Sequence, residues 1–172
     1  MKARLLATVL AGVCPFSLFS QSVPSRSPVL KNQAASLTQC VPSARIDREG
    51  FQLVMQTVAH GWNRGDARRA ASCFGEDATY SGPPSPPHRG RKALYEFFGG
   101  AKGRELAMHM TWHNLVFDPE QQIGAGEYTF RYQEQTHGLV IVKISNGLIV
   151  NWREYEVESG LPWEKFVGKN RF

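Results

Sequence analysis

The feature of this sequence that most limits its fold is a change of hydrophobic periodicity near Glu105. Before this point apolar residues mostly recur at helical spacing, whereas after it they alternate with polar residues as in β-strands. Helices and strands that are segregated along the chain indicate an α+β domain. We expect three N-terminal helices packed on a curved, mainly antiparallel sheet, with a cavity between the two layers.

Three helical segments are predicted between about residue 47 and Glu105. An apolar stripe runs from Phe51 to Trp62, and Asp66 is a suitable N-cap for a second, short helix. A third helix is expected from Arg91 to Phe98. A short strand at 78–80 and a proline-rich loop at 81–90 separate the second helix from the third.

Four long strands are predicted in the second half, at about 105–117, 124–133, 137–144 and 148–157. Alternation predicts one face of the first strand to consist of Met108, Met110, Trp112, Asn114 and Val116. It predicts one face of the second to carry Glu127, Thr129 and Arg131, and one face of the last to carry Leu148, Val150, Trp152 and Glu154. The tail, with Trp163 and Phe166, is expected to fold back over an edge of the sheet.

The N-terminal residues have the composition of an export signal followed by a tether. Residues 1–22 combine a basic start with a short apolar run, and small residues at 20 and 22 make cleavage after Ser22 plausible. Residues 23–46 are rich in serine and proline and lack apolar periodicity, which favours a flexible tether before a domain at 47–172. We therefore expect a secreted or periplasmic protein; a lipoprotein modified at Cys14 is the weaker alternative.

The net charge of +5 is located outside the predicted domain. Residues 1–46 contain five basic residues and no acidic one, which leaves 15 of each kind in 47–172. A formally neutral domain argues against nucleic acid as a partner. The apolar run near the N-terminus is too short for a membrane span.

Two cysteines, Cys40 and Cys73, leave alternatives open. Export would place them in an oxidising compartment, where they could form a disulfide. Cys73 also falls on the apolar face of the predicted second helix, which suits a buried free thiol.

Four segments of this sequence resemble the SnoaL-like proteins of the nuclear transport factor 2-like superfamily. The matching segments are Trp62–Asp66, Phe74–Ala78, Gly90–Leu94 and Gly147–Tyr155. The resemblance implies a cone-shaped, cystatin-like α+β barrel that commonly dimerises through its sheet. The superfamily includes isomerases, dehydratases, epoxide hydrolases, polyketide cyclases and non-catalytic binding modules.

The last strand is similar to that of the epoxide hydrolases, which implies an acid acting on substrate at Glu154 and a pocket wall at Trp152. Two departures are visible. The acid is Glu rather than Asp, and no Arg-x-Asp pair occurs in the earlier strand, where the sequence is Glu127-Tyr128-Thr129-Phe130. The Tyr and two Asp of the steroid isomerases are not recognisable either.

The residues themselves also make Glu154 and Glu127 candidates for acid–base catalysis. A carboxylate on an apolar strand face is costly unless it is paired, and burial raises its pKa toward a useful range. Two carboxylates in one cavity could divide into an acid and a base. The alternatives are a solvated rim position for Glu154 and a structural ion pair with Arg131 for Glu127.

Histidine offers a third candidate, because His137 begins a central strand and could point toward the same cavity. A half-exposed structural histidine is the alternative. His109 and His113 lie about 13 Å apart in an extended strand, too far to share one ion, so no metal or other cofactor is expected.

The expected pocket is aromatic. Tyr80 could offer its hydroxyl group to a substrate, and Trp62, Trp112 and Trp152 could form apolar walls; packing in the core is the alternative for all four. These patterns predict an enzyme that moves protons on a small apolar or oxygenated molecule without a cofactor. A binding module or a purely structural dimeric domain of the same shape remains open.

Overall fold

The computed structural model describes residues 39–40 and 42–170. The predicted signal at 1–22, Cys14 and most of the predicted tether lie outside these residues. The described elements are α1 (Arg48–Asn63), α2 (Ala67–Ser72), β1 (Phe74–Ser81), β2 (His88–Arg89), α3 (Arg91–Phe97), β3 (His109–Asp118), β4 (Ile123–Arg131), β5 (Gln135–Ser145), β6 (Leu148–Glu158) and α4 (Trp163–Phe166).

Aspartates cap the first two helices, and α2 begins after Asp66 as the sequence predicts. The Asp47 side chain accepts a hydrogen bond from the Gly50 amide, and Asp66 accepts one from the Arg69 amide. Helices α1 and α2 touch so closely that a Cβ on Gly61 would lie 2.6 Å from the backbone nitrogen of Ala70. This close approach lets the helices form a compact layer over the sheet.

All six strands form one sheet in the order β2-β1-β6-β5-β4-β3. Only the β1–β6 pairing is parallel among these described strands. The concave face, called the inner face here, packs on α1, α2 and α3 and carries most of the core. The opposite, outer face is partly covered by the segment 159–167, which includes α4. The predicted α+β architecture is confirmed, and the tail covers a face rather than an edge.

A β-bulge changes the phase of β6. Ile144 pairs with Ile149 and Lys143 pairs with Asn151, so Val150 is an extra residue. Ile149, rather than Val150, is therefore fully buried. The predicted shared face of Leu148, Val150, Trp152 and Glu154 is wrong in its first half and correct for Trp152 and Glu154.

A second bulge lies in β3, where Trp112 pairs with Tyr128 but Asn114 pairs with Glu127. His113 is the extra residue. Leu115 and Phe117 consequently pack inward with Met110 and Trp112, while Asn114 and Val116 face outward. The predicted single face from Met108 to Val116 is wrong beyond Trp112 for this reason.

A disulfide joins Cys40 to Cys73. It attaches the end of the predicted tether to the C-cap of α2, and the alternative of a free thiol at Cys73 is wrong. Residues after it are also held, because the Ser43 amide donates to the Asn146 carbonyl group and the Ile46 amide donates to Gln122 Oε1. Ordered contacts thus begin several residues before the predicted domain boundary at 47.

Candidate functional site

A cavity of about 210 Å³, partly open to solvent, lies between the inner face of the sheet and the helical layer. Its walls are mainly aromatic and thioether groups, with a few polar groups among them. The lining residues are Trp62, Tyr80, Phe97, Phe98, Arg104, Met108, Met110, Tyr128, Phe130, Tyr132, Glu154 and Glu156. An apolar hollow with a few polar groups is the usual form of a small-molecule site.

Glu154 is the half-buried carboxylate of this cavity. Both of its oxygen atoms accept hydrogen bonds: Oε1 from the Tyr80 hydroxyl group at 2.6 Å, and Oε2 from the Trp152 indole nitrogen at 2.8 Å. The Tyr128 hydroxyl group lies 3.4 Å from Oε2. Neighbours on β1, β4 and β6 therefore fix the position of the carboxylate.

The environment raises the pKa of Glu154 to about 7. Burial is the main cause because it disfavours the charged form, and Glu156 adds like-charge repulsion. The hydrogen bonds from Tyr80, Trp152 and Tyr128 act in the opposite direction. A carboxyl group whose pKa is near 7 can release and take up a proton at physiological pH, which suits a general acid or base.

The two tyrosines beside Glu154 are held as neutral hydroxyl donors. Tyr80 is buried and stacks on Trp152 with ring centroids 5.6 Å apart. Tyr128 is fully buried and donates to Glu156 Oε1 at 2.8 Å. Burial, followed by the charge of Glu154, raises the pKa of both phenols well above the ordinary value.

The SnoaL-like domain profile matches residues 55–152, more than half of the chain. The chain belongs to the SnoaL-like family. This match confirms the resemblance inferred from the sequence. No functionally curated protein matches the chain significantly.

Solved structures similar to this SnoaL-like protein share its fold. A protein of unknown function with a cystatin-like fold from Methylobium petroleophilum PM1 is 22% identical, with a TM-score of 0.58 and coverage of 74% of this chain and 85% of its own. An LEH-like epoxide hydrolase of M. tuberculosis is 17% identical, with a TM-score of 0.55 and coverage of 63% and 83%. A candidate ketosteroid isomerase of Kribbella flavida is 18% identical, with a TM-score of 0.56 and coverage of 73% and 93%. At these identities the likeness establishes the fold.

Glu127 does not share the cavity with Glu154. It lies on the outer face, where Asn114 donates a hydrogen bond to Oε2 at 2.6 Å. The alternation in β4 is as predicted, but Tyr128 and Phe130 occupy the inward positions. The expectation that Glu127 and Glu154 lie in one cavity is therefore wrong, as is the ion pair with Arg131.

His137 also faces outward, although it is buried. Its Nε2 lies 2.8 Å from the Leu161 carbonyl oxygen, and its Nδ1 lies 2.9 Å from the Thr129 hydroxyl group. Phe166 covers the ring. The expectation that His137 points into the cavity is wrong, because alternation along β5 turns Gly138, Val140 and Val142 inward and His137 outward. The tail then covers the ring.

The four aromatic candidates divide into two pairs. Trp62 and Tyr80 line the cavity. Trp152 lies behind Glu154 as a hydrogen-bond donor, and Trp112 packs against Tyr128 while its indole nitrogen donates to the Met55 carbonyl oxygen. Neither is among the described residues that line the cavity.

Three further residues that line the cavity, Tyr128, Glu156 and Arg104, are not among those predicted from the sequence. The alternating aromatic residues Tyr128, Phe130 and Tyr132 do indicate which face of this segment is buried. Aromatic side chains favour the core, so their face, rather than that of Glu127, should point inward. Glu156 continues the alternation of Trp152 and Glu154 by one step. For Arg104, in a glycine-rich loop, the sequence contains no comparable signal.

Within the described residues, no three His, Cys, Asp or Glu side chains are grouped so that they could hold a metal ion. No helix in that part of the chain is both long and apolar enough to cross a membrane.

Proposed function

We propose that this protein is a cofactor-free acid–base enzyme acting on a small, mainly apolar molecule that carries oxygen. The observation that supports the proposal most is the mainly apolar cavity with Glu154 in its wall, held by Tyr80 and Trp152. The pKa of about 7 keeps both protonation states of this carboxyl group populated. The reaction classes that fit are isomerisation, cyclisation, dehydration and hydrolysis.

The simplest reaction for this geometry is a proton shift next to a carbonyl group. Ionised Glu154 takes a proton from the carbon beside the carbonyl, and the electron pair of that C–H bond moves toward the carbonyl oxygen. The same carboxyl group then returns the proton to another carbon, so atoms and charge balance. Tyr80 and Trp152 hold the carboxylate in one orientation throughout.

Epoxide opening is less well supported. An epoxide hydrolase of the kind resembled here has an Arg-x-Asp pair on an earlier strand, and the inward positions of β4 are Tyr128 and Phe130 instead. Tyrosine and phenylalanine provide neither the second carboxylate nor the cation of such a pair. We therefore favour proton transfer.

Hydrogen–deuterium exchange at carbon tests the proposal without knowledge of the natural substrate. A cyclic ketone, a β,γ-unsaturated ketone and a lactone are incubated with protein in D₂O, and loss of the α-hydrogen signal is followed by proton NMR. We expect catalysed exchange with at least one probe and a loss on the order of a hundredfold or more in Glu154→Gln.

Glu127→Gln is the matched control, because it removes a carboxylate from the outer face of the same sheet. Its exchange rate should equal that of the unaltered protein. Equal exchange by Glu154→Gln and the unaltered protein would remove Glu154 from the chemistry.

A binding module is the second candidate function. It is favoured by the fact that both oxygens of Glu154 already accept hydrogen bonds, as in a structural carboxylate. In that case no probe would exchange, and Glu154→Gln would leave the affinity for apolar ligands unchanged.

We further propose that the protein is a homodimer through the outer face of its sheet. Val116, Tyr155 and Val157 on this face are 65%, 48% and 59% exposed, and Leu139 lies among them. Exposed apolar patches of this kind mark interfaces. Light scattering should give twice the chain mass, and Val157→Lys should give the monomer mass.

Export of the protein is also proposed. The Cys40–Cys73 disulfide supports it, because disulfides persist mainly in oxidising compartments. Mass spectrometry of the protein recovered from outside the cytoplasm should give a chain that begins at Val23. A mass that includes residues 1–22 would contradict cleavage at that site.

A further inference from the structure

Two buried N–H donors lack an acceptor, and both belong to residues of the cavity wall. Trp62 is 4% exposed, and its indole nitrogen has no hydrogen-bond partner; the Nε atom of Arg104 is in the same state. Only four buried side-chain nitrogen or oxygen atoms of the described residues are unpartnered, and these two belong to residues that line the same cavity. A buried donor without an acceptor costs free energy, so such groups call for an explanation.

Arg104 is held at the cavity by aromatic rings rather than by a carboxylate. Its guanidinium carbon lies 5.4 Å from the centre of the Phe97 ring and 5.1 Å from that of Tyr132. Its Nη2 donates to the Phe97 carbonyl oxygen. Neither of the two ion pairs among the described residues includes Arg104. The charge is therefore positioned by its neighbours and not neutralised by them.

We propose that the ligand of this cavity is a carboxylate-bearing molecule with an apolar body, and that Arg104 and Trp62 donate hydrogen bonds to its acceptor oxygens. The inference rests on the proposed function for the site and adds the substrate class. A guanidinium group matches a carboxylate in shape and charge, and an indole N–H can only donate. The aromatic and methionine walls select the apolar body.

The volume limits the ligand further. A cavity of about 210 Å³ admits a single ring with a short side chain rather than a fused polycyclic skeleton. Among molecules with these features, 3-phenylpropanoate is a suitable probe, and 3-phenylpropanamide has nearly the same shape without the charge.

Calorimetry at pH 7.5 with these two probes tests the proposal. We expect the unaltered protein to bind 3-phenylpropanoate about tenfold or more tightly than the amide, because a charge-assisted hydrogen bond is stronger than a neutral one. Arg104→Gln should remove this preference, and Trp62→Phe should weaken acid binding while keeping an aromatic wall. Lys102→Gln removes a positive charge from the same loop as Arg104 and should keep the preference.

Three results would overturn the proposal: equal affinity for acid and amide, the same acid preference in Arg104→Gln, or no binding of either probe by folded protein. Circular dichroism establishes folding for each variant. Glu154→Gln separates this inference from the proposed enzyme function, because it should lose α-hydrogen exchange and retain the acid preference. Exchange that depends on Glu154, without any preference for acids, would refute the carboxylate inference alone.

Discussion

The two faces of one sheet give two glutamates different environments. Glu154, on the inner face, lies in an apolar cavity beside Trp152 and two tyrosine hydroxyl groups. Glu127, on the outer face, accepts a hydrogen bond from Asn114 in a polar depression that the tail borders. The difference shows that the layer packed on each face, more than the residue type, determines what a carboxylate can do.

The coverings of the two faces differ in kind. The inner face meets three helices and carries most of the buried side chains. The outer face meets one short segment, attached through Trp163 stacked on His113 at 4.1 Å and through hydrogen bonds to the Leu161 carbonyl oxygen. We therefore expect changes at the inner face to have the larger effects.

The largest expected difference concerns two tryptophans. Trp152 is 1% exposed beneath the cavity, whereas Trp163 is half-buried on the outer face. Trp152→Ala should lower the free energy of unfolding by about 3–5 kcal/mol and Trp163→Ala by about 1 kcal/mol. Urea unfolding followed by circular dichroism measures both. Equal losses would show that the tail belongs to the core as fully as the helices do.

The ionised form of Glu154 should lower the free energy of unfolding at alkaline pH. Its pKa is raised from 4.5 to about 7, so its contribution to stability is present below pH 4.5 and is lost as the pH rises through 7. Relative to the unaltered protein, Glu154→Gln should therefore gain about 1–2 kcal/mol of stability as the pH rises from 5 to 8, after allowance for partial exposure. Thermal unfolding across pH 5–8 measures this gain, and Glu127→Gln provides the comparison. A gain that does not grow with pH would contradict the burial of Glu154.

The Thr129 hydroxyl group on the outer face should help to hold the tail in place. The Leu161 carbonyl oxygen can only accept, so His137 donates to it through Nε2 and accepts from the Thr129 hydroxyl group through Nδ1. Thr129→Val removes this donor at constant shape and should cost about 1 kcal/mol. Hydrogen exchange of residues 163–167 should accelerate severalfold, whereas Thr111→Val on the exposed side of β3 should leave it unchanged. Unaltered exchange in Thr129→Val would show that ring packing alone holds the tail.

The smallest expected effect is a loosening of the tail when His113 is protonated at acidic pH. Burial and then the neighbouring His137 lower the pKa of His113 from 6.5, while Glu164 and Glu127 oppose the shift. The stabilisation that His113 provides in its neutral form is present above pH 6.5 and is lost as the pH falls below it. Because the ring is only partly buried, we expect less than about 1 kcal/mol. Tail exchange at pH 7.5 and 5.5, corrected for intrinsic rates, should differ in the unaltered protein and not in His113→Gln.

Much of the inner face could be predicted from the sequence. The helical stripe of α1, the capping residue Asp66 and the change of period are local features, and they are sufficient for the architecture. The pairing of Trp152 with Glu154 on one face follows from alternation over two residues, a distance that no bulge interrupts.

The outer face could not be predicted in the same way. Two single-residue bulges, at His113 and Val150, shift the alternation, and nothing local in the sequence announces them. The burial of His137 depends on the tail, whose contacts follow from the path of residues 159–167 through space. The Cys40–Cys73 pairing likewise depends on a distance across 33 residues that only the fold determines.

The bulge at Val150 makes the hairpin tolerant of changes in length. Because Val150 is the unpaired residue, its deletion would leave Ile149, Trp152 and Glu154 opposite their present partners and restore regular pairing. Deletion of Arg153 would instead turn Glu154 outward and bring Tyr155 inward. Insertions and deletions among relatives should therefore accumulate on the turn side of Asn151. The residue equivalent to Glu154 in a relative is best identified by its pairing partner on the neighbouring strand, which is Val140 here, rather than by counting residues from the turn.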